Sequence, residues 1–122
     1  MVFAQTTEEN LVKFEQEHQV LQNTVQQKLA QLEVEYEKEL VQITQNYKLE
    51  LGKLQTAYEV KKQKDASTKE KYLKEARKIT SKYDLKTKDL IFKYTIDKAK
   101  IENDYYHERD KLMQKYDVFL EE

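Results

Sequence analysis

The chain has 122 residues, of which 37% are charged, and it contains one glycine and no proline, cysteine or tryptophan. Sheets, barrels and α/β folds need many turns, and turns depend on glycine and proline, so the composition excludes these fold classes. Ile, Leu, Val and Phe make up 30 of the 122 residues, which is above the roughly 20% below which disorder is expected. The composition therefore predicts an all-α protein of long helices.

The charges nearly balance, with a formal net charge of −1, but they are unevenly distributed. Residues 61–82 carry nine Lys or Arg and only three acidic residues. The absence of cysteine excludes disulfides and thiol chemistry. No run of apolar residues reaches the 18 or so that a membrane-spanning helix requires, so we expect no membrane span. We expect the protein in the cytoplasm or as part of a protein assembly, and secretion is left open.

Tyrosines recur every eleven residues in both halves of the chain, and in most repeats a Leu or Ile stands four residues before the Tyr. An eleven-residue repeat has about 3.67 residues per turn, so it predicts a hendecad coiled coil that is nearly straight or slightly right-handed. The predicted core and oligomer stripe consists of Leu21, Val25, Leu29, Leu32, Tyr36, Leu40, Ile43, Tyr47, Leu51, Leu54, Tyr58, Tyr72, Ile79, Tyr83, Leu90, Tyr94, Ile101, Tyr105, Leu112 and Tyr116.

The stripe is interrupted between Tyr58 and Tyr72. A continuous helix would place charged residues at three successive core positions, which makes a poor seam. Ser67 and Glu70 instead have the spacing of a capping box, which marks a helix start. We therefore predict one domain over 1–122, with helix 1 at 7–62, a turn at 63–66 and helix 2 at 67–120. The alternative is a single continuous helix in a parallel coiled coil.

Folding the chain at Asp65 brings the two halves of the stripe into register. The tyrosines that meet are those equally distant from residue 65: Tyr58 with Tyr72, Tyr47 with Tyr83, and Tyr36 with Tyr94. A two-helix hairpin leaves further apolar residues uncovered, Val34, Val41, Leu49, Val60, Leu85 and Ile96 among them. We expect a second chain to cover them, which would make a dimer and a four-helix bundle.

The two histidines each follow a carboxylate by three residues, as Glu15 and His18, and as Asp104 and His107. This spacing occurs in di-iron helical bundles. His107 is rotated about 200° from Tyr105 and so turns away from the stripe, and no second pair of inward glutamates is evident. We predict a polar core layer at His18, a solvated His107 and no metal site. We also predict no cofactor, no catalytic residue and no enzymatic activity.

The lysine-rich segment offers one candidate binding site. Cations at a helix start are disfavoured by the helix dipole, so the basic residues at the start of helix 2 lack a structural explanation. The candidate anion-binding residues are Lys69, Lys71, Lys74, Arg77 and Lys78. The sequence thus predicts a structural, scaffold or adaptor protein that self-associates into a rigid rod. The alternative is a module that binds anions, nucleic acid or an acidic protein surface through residues 61–82.

Overall fold

The computed structural model describes residues 7–62 and 64–119. These residues form two α-helices, α1 at Glu8–Glu59 and α2 at Ala66–Tyr116, and they contain no strand. The helices pack against each other as a hairpin. The all-α class and the hairpin are therefore confirmed, in preference to one continuous helix. The hendecad geometry and the four-helix dimer stay predictions.

The chain divides into two compact units. One unit combines the chain up to Glu33 with the chain from Thr95 onward, and the other is Val34–Tyr94. Each unit contains a segment of α1 packed on a segment of α2.

Tyrosine pairs join the two helices in the Val34–Tyr94 unit. The ring centroids lie between 4.4 and 5.6 Å apart, within the range of favourable aromatic contacts. The pairs are those predicted by folding at Asp65: Tyr36 with Tyr94, Tyr47 with Tyr83, and Tyr58 with Tyr72.

Polar contacts flank the middle tyrosine pair. The hydroxyl oxygens of Tyr47 and Thr80 are 3.0 Å apart, and Lys82 Nζ donates to Glu50 Oε1 across the hairpin at 3.1 Å. The Tyr83 hydroxyl also bonds Glu50, which raises the pKa of Tyr83 and, together with Lys82, lowers that of Glu50. In this pair the Tyr83 ring is buried and the Tyr47 ring is half-buried, while both hydroxyls have polar partners.

In the other unit, Phe14 is buried and stacks on His18, which in turn stacks on Tyr105. Lys115 Nζ on α2 donates to Glu17 Oε1 on α1 at 3.3 Å. Contacts from α1 to α2 therefore hold this unit together as well.

Both helices begin with a side-chain cap, and the cap of α2 lies two residues before the predicted one. Thr7 Oγ1 accepts from the Asn10 amide at 3.1 Å, and Asp65 Oδ1 accepts from the Thr68 amide at 2.8 Å. Asp65 is thus the N-cap of α2, and the predicted Ser67–Glu70 capping box is wrong. Because α2 begins at Ala66, Ser67 already has helical backbone and cannot occupy the cap position.

Both helices end earlier than predicted. α1 ends at Glu59 rather than at residue 62, because the apolar stripe ends at Tyr58 and later residues gain no packing in exchange for being ordered. α2 ends at Tyr116 rather than at residue 120. There Asp117 adopts a left-handed conformation with φ 55°, and the Val118 amide donates to the Met113 carbonyl at 2.8 Å. This is a Schellman termination, which stops the helix.

The contacts of Tyr47 and Tyr106 predict different effects of the same substitution. Tyr47→Glu should destabilise the protein by about 2 kcal/mol or more, because it removes the Tyr83 contact and places a carboxylate in the seam. Tyr106 is 50% exposed, so Tyr106→Glu should change stability by only about 0.5 kcal/mol. Urea unfolding followed by circular dichroism measures both values. Equal losses would contradict the assignment of Tyr47 to the packed face.

Candidate functional site

The structure places the whole predicted stripe on the packed side of the helices. Tyr83 and Leu90 are buried, and the other eighteen stripe residues are half-buried. Within the described residues, the buried apolar side chains are Phe14, Tyr83, Leu90 and Val118. The hairpin therefore encloses little fully buried volume.

Large apolar side chains remain exposed away from the stripe. The most exposed helical ones are Val20, Leu49, Leu85 and Phe92, each with about 60% or more of its surface accessible. Contiguous exposed apolar patches mark interaction surfaces, whereas apolar residues scattered singly do not.

The basic segment forms an open cleft of about 440 Å³ where α1 ends and α2 begins. Leu54, Tyr58 and Tyr72 contribute its apolar lining, and Lys61, Lys71, Lys74 and Lys78 contribute cationic groups. Tyr58 and Tyr72 stack with their centroids 4.4 Å apart, and Lys64 Nζ lies 5.4 Å from the centroid of the Tyr58 ring. The cleft thus combines aromatic surface with a concentration of positive charge.

The five predicted anion-binding residues are all exposed but do not converge on one site. Lys71, Lys74 and Lys78 line the cleft, whereas Arg77 borders a neighbouring groove along α2. Lys69 lies in the first turn of α2, where its amide donates to the Asp65 carbonyl. Lys61 is not among the five predicted residues, and it lines the cleft because the hairpin brings the end of α1 beside α2.

One acidic residue, Glu75, lines this cleft beside the four lysines. Lys78 Nζ lies 3.3 Å from Glu75 Oε1 in an exposed ion pair, which contributes little stability. Lysines act as point charges without the fork of arginine. The cleft can therefore attract phosphates or carboxylates electrostatically, and it offers no geometry for recognising a particular base.

His18 occupies the polar core position that the sequence predicted. Its Nε2 atom is 2.9 Å from the Tyr105 hydroxyl oxygen. Burial and the positive charge of Arg109 lower the pKa of His18. His107 is exposed. Over residues 7–62 and 64–119, no three His, Asp or Glu side chains are grouped so that they could hold a metal ion.

Three features escaped the sequence analysis. The spacing of Asp65 and Thr68 could have predicted the helix cap at Asp65. Ser67, however, has the same spacing to Glu70 and was the competing candidate. The contact between His18 and Tyr105 had no such signal, because these residues are not equally distant from residue 65. The partners of the Tyr47 and Tyr83 hydroxyls likewise depend on the packing of the two helices.

The chain matches no protein-family model, no curated protein and no solved structure. Neither of the two described helices has a stretch apolar and long enough to cross a membrane. Functional interpretation therefore depends on the surfaces of the hairpin.

The environment of His18 predicts a dependence of stability on pH. In the unfolded chain a histidine has a pKa near 6.5, and the folded value is lower. Below about pH 6.5 the unfolded state takes up a proton that the folded state resists, so the free energy of unfolding should fall with decreasing pH. His18→Phe should reduce this loss while retaining an aromatic ring beside Phe14. Urea unfolding at pH 7.5 and 5.5 measures the difference, and identical losses in both proteins would contradict it.

Proposed function

We propose that this protein is a structural scaffold or adaptor that works by self-association, with a dimer as its basic unit. The observation that carries the proposal is the exposure of large apolar side chains on the faces of α1 and α2 that do not meet within the hairpin. Burying apolar surface contributes about 25 cal/mol per Å², so a second copy that covers these residues would be stabilised. The proposal assigns the chain no catalytic chemistry.

The limited core supports this proposal. Long helices derive most of their stability from packing of an apolar face rather than from intrinsic propensity. In the described residues the stripe between the two helices is mostly half-buried, so packing within one hairpin buries little apolar surface completely, and covering the exposed apolar residues outside the stripe would add to it. A dimer of hairpins would contain four helices, and the four-helix bundle stays a prediction.

Sedimentation equilibrium between about 1 and 200 μM, with circular dichroism on the same samples, tests self-association by mass action. We expect a helical protein whose mass approaches twice 14.8 kDa as concentration rises. A helical monomer over the whole range would contradict the proposal, and so would an unfolded chain.

A second candidate function is binding of a polyanion by the cleft at the start of α2. It is favoured by the cluster of Lys61, Lys71, Lys74 and Lys78 around the Tyr58–Tyr72 stack. Nucleic acid and acidic protein surfaces both offer the required charge. Nucleic acid is the candidate that can be tested without knowing a partner.

Binding to a random-sequence DNA duplex should weaken steeply with salt, with a log-log slope of roughly −4 if about four phosphates are neutralised. Fluorescence anisotropy from about 20 mM salt upward measures the slope. Changing Lys61, Lys71 and Lys74 to Gln should weaken binding at least tenfold, because these lysines line the cleft.

The matched control changes the exposed Lys93, Lys98 and Lys100 to Gln, which removes the same charge outside the cleft. An equal loss in the control would mean that net charge alone drives binding. No binding at about 20 mM salt, where screening is weak, would exclude nucleic acid as the partner.

A further inference from the structure

We propose that the second copy docks antiparallel on the outer face of α1, with Gln45 of one copy facing Gln45 of the other. This inference depends on the proposed self-association and adds the surface, direction and register. It concerns the Val34–Tyr94 unit only.

The outer α1 face is the side of the helix opposite the tyrosines. At 100° per residue, Gln45 lies about 160° around the helix from Tyr47. The face consists of Val34, Lys38, Val41, Gln45, Leu49, Gly52 and Thr56. Val34, Val41 and Leu49 are 49%, 53% and 59% exposed. Among these seven residues only Lys38 is charged, and Lys48 and Lys53 border the face at Gly52.

Gly52 creates a recess in the outer α1 face. Apart from the adjacent residues and the nearby backbone of α1, no atom would lie within 4 Å of a Cβ placed on Gly52. A shallow groove at this point is lined by Lys48, Leu49, Gly52, Lys53 and Thr56. A missing side chain permits close approach of another backbone or side chain, so the recess can receive a residue from a second helix.

The outward side of α2 is less suited to pack against the same surface of a second copy. Residues 66–94 carry nine basic and four acidic residues. The groove along this part of α2 is lined by Leu85 together with Lys74, Arg77, Lys78 and Lys82. Like charges placed against each other cost free energy across an interface. Charge therefore favours the outer α1 face as the surface that pairs with itself.

Charge also selects the antiparallel direction. Residues 35–39 contain three Glu and one Lys, whereas Lys48 and Lys53 stand farther along the helix. Glu50, between these two lysines, is bound by Lys82 of the same chain. Antiparallel docking places the acidic segment of each copy near the two lysines of the other. Parallel docking would place the acidic segments together, which is unfavourable.

The register follows from matching side chains along the face. With Gln45 opposite Gln45, Val41 of one copy meets Leu49 of the second copy, and this apolar contact occurs twice by symmetry. Lys38 then lies opposite Gly52 of the second copy, where its methylene groups can cover the recess while its ammonium group extends toward water. In any other antiparallel register, Val41 of one copy no longer lies opposite Leu49 of the other.

Spin labels at positions that flank the outer α1 face measure direction and register. The chain has no cysteine, so a single introduced cysteine carries the only label. Asn46→Cys and Gln55→Cys are labelled separately. At 1.5 Å per residue, antiparallel pairing centred on residue 45 separates the two Asn46 positions by about 3 Å along the helix and the two Gln55 positions by about 30 Å. We expect a distance under roughly 20 Å for the first label and over roughly 30 Å for the second.

Short distances at both positions would indicate parallel pairing and overturn the inference. Long distances at both positions in a dimer would place the contact on another surface, which overturns the inference but leaves self-association intact. A monomer by sedimentation would overturn both.

A matched set of variants tests the same surface without labels. Val41→Glu and Leu49→Glu each change an exposed residue, so they should retain helicity while raising the dimer dissociation constant at least tenfold. Leu85→Glu, at an equally exposed position on α2, should leave that constant within about threefold of wild type. Equal effects at all three positions would overturn the assignment to α1.

Discussion

The aromatic contact between tyrosines of α1 and α2 is the interaction on which the hairpin depends most. In the Val34–Tyr94 unit, three tyrosine pairs occur at intervals of eleven residues, and each pair joins positions equally distant from residue 65. A tyrosine buries a large ring while its hydroxyl reaches polar partners. Such a residue suits a two-helix seam, where every side chain lies close to water. A register shift by one residue would separate all three pairs at once.

A seam between only two helices leaves each helix half uncovered, and this geometry explains the surface. The apolar residues away from the tyrosines have no partner helix in the hairpin, so Val34, Val41, Leu49 and Leu85 are exposed. The two outer faces differ in charge, however. The outer α1 face has one charged residue, Lys38, and two lysines at its border, whereas the groove along α2 is lined by three lysines and an arginine. We therefore propose that one hairpin uses α1 to meet a second copy, which leaves the lysine-rich cleft accessible to an anionic partner.

Sequence reasoning predicted the hairpin and the pairing of the tyrosines in the Val34–Tyr94 unit, because the eleven-residue spacing of tyrosines carries both kinds of information. It did not locate the cap of α2 correctly, because Asp65 and Ser67 lie two residues apart and each can cap a helix. The observed helix ends also differ from the predicted ones, because the end of a helix depends on packing and on single residues. Asp117 ends α2 in a left-handed conformation, and an aspartate in the sequence predicts that conformation less clearly than a glycine would. The contact of His18 with Tyr105 and the gathering of Lys61 with Lys71 arise only from packing in three dimensions.

The most direct test of this account is the distance between α1 and α2 within one chain. Fluorophores at the exposed positions Glu37 and Lys93, equally distant from residue 65, can be measured in labelled protein diluted with excess unlabelled protein. The hairpin predicts a separation below roughly 25 Å, since packed helices lie 8 to 10 Å apart. A separation near 84 Å, as expected for about 56 residues of continuous helix, would contradict the hairpin and every surface assignment that depends on it.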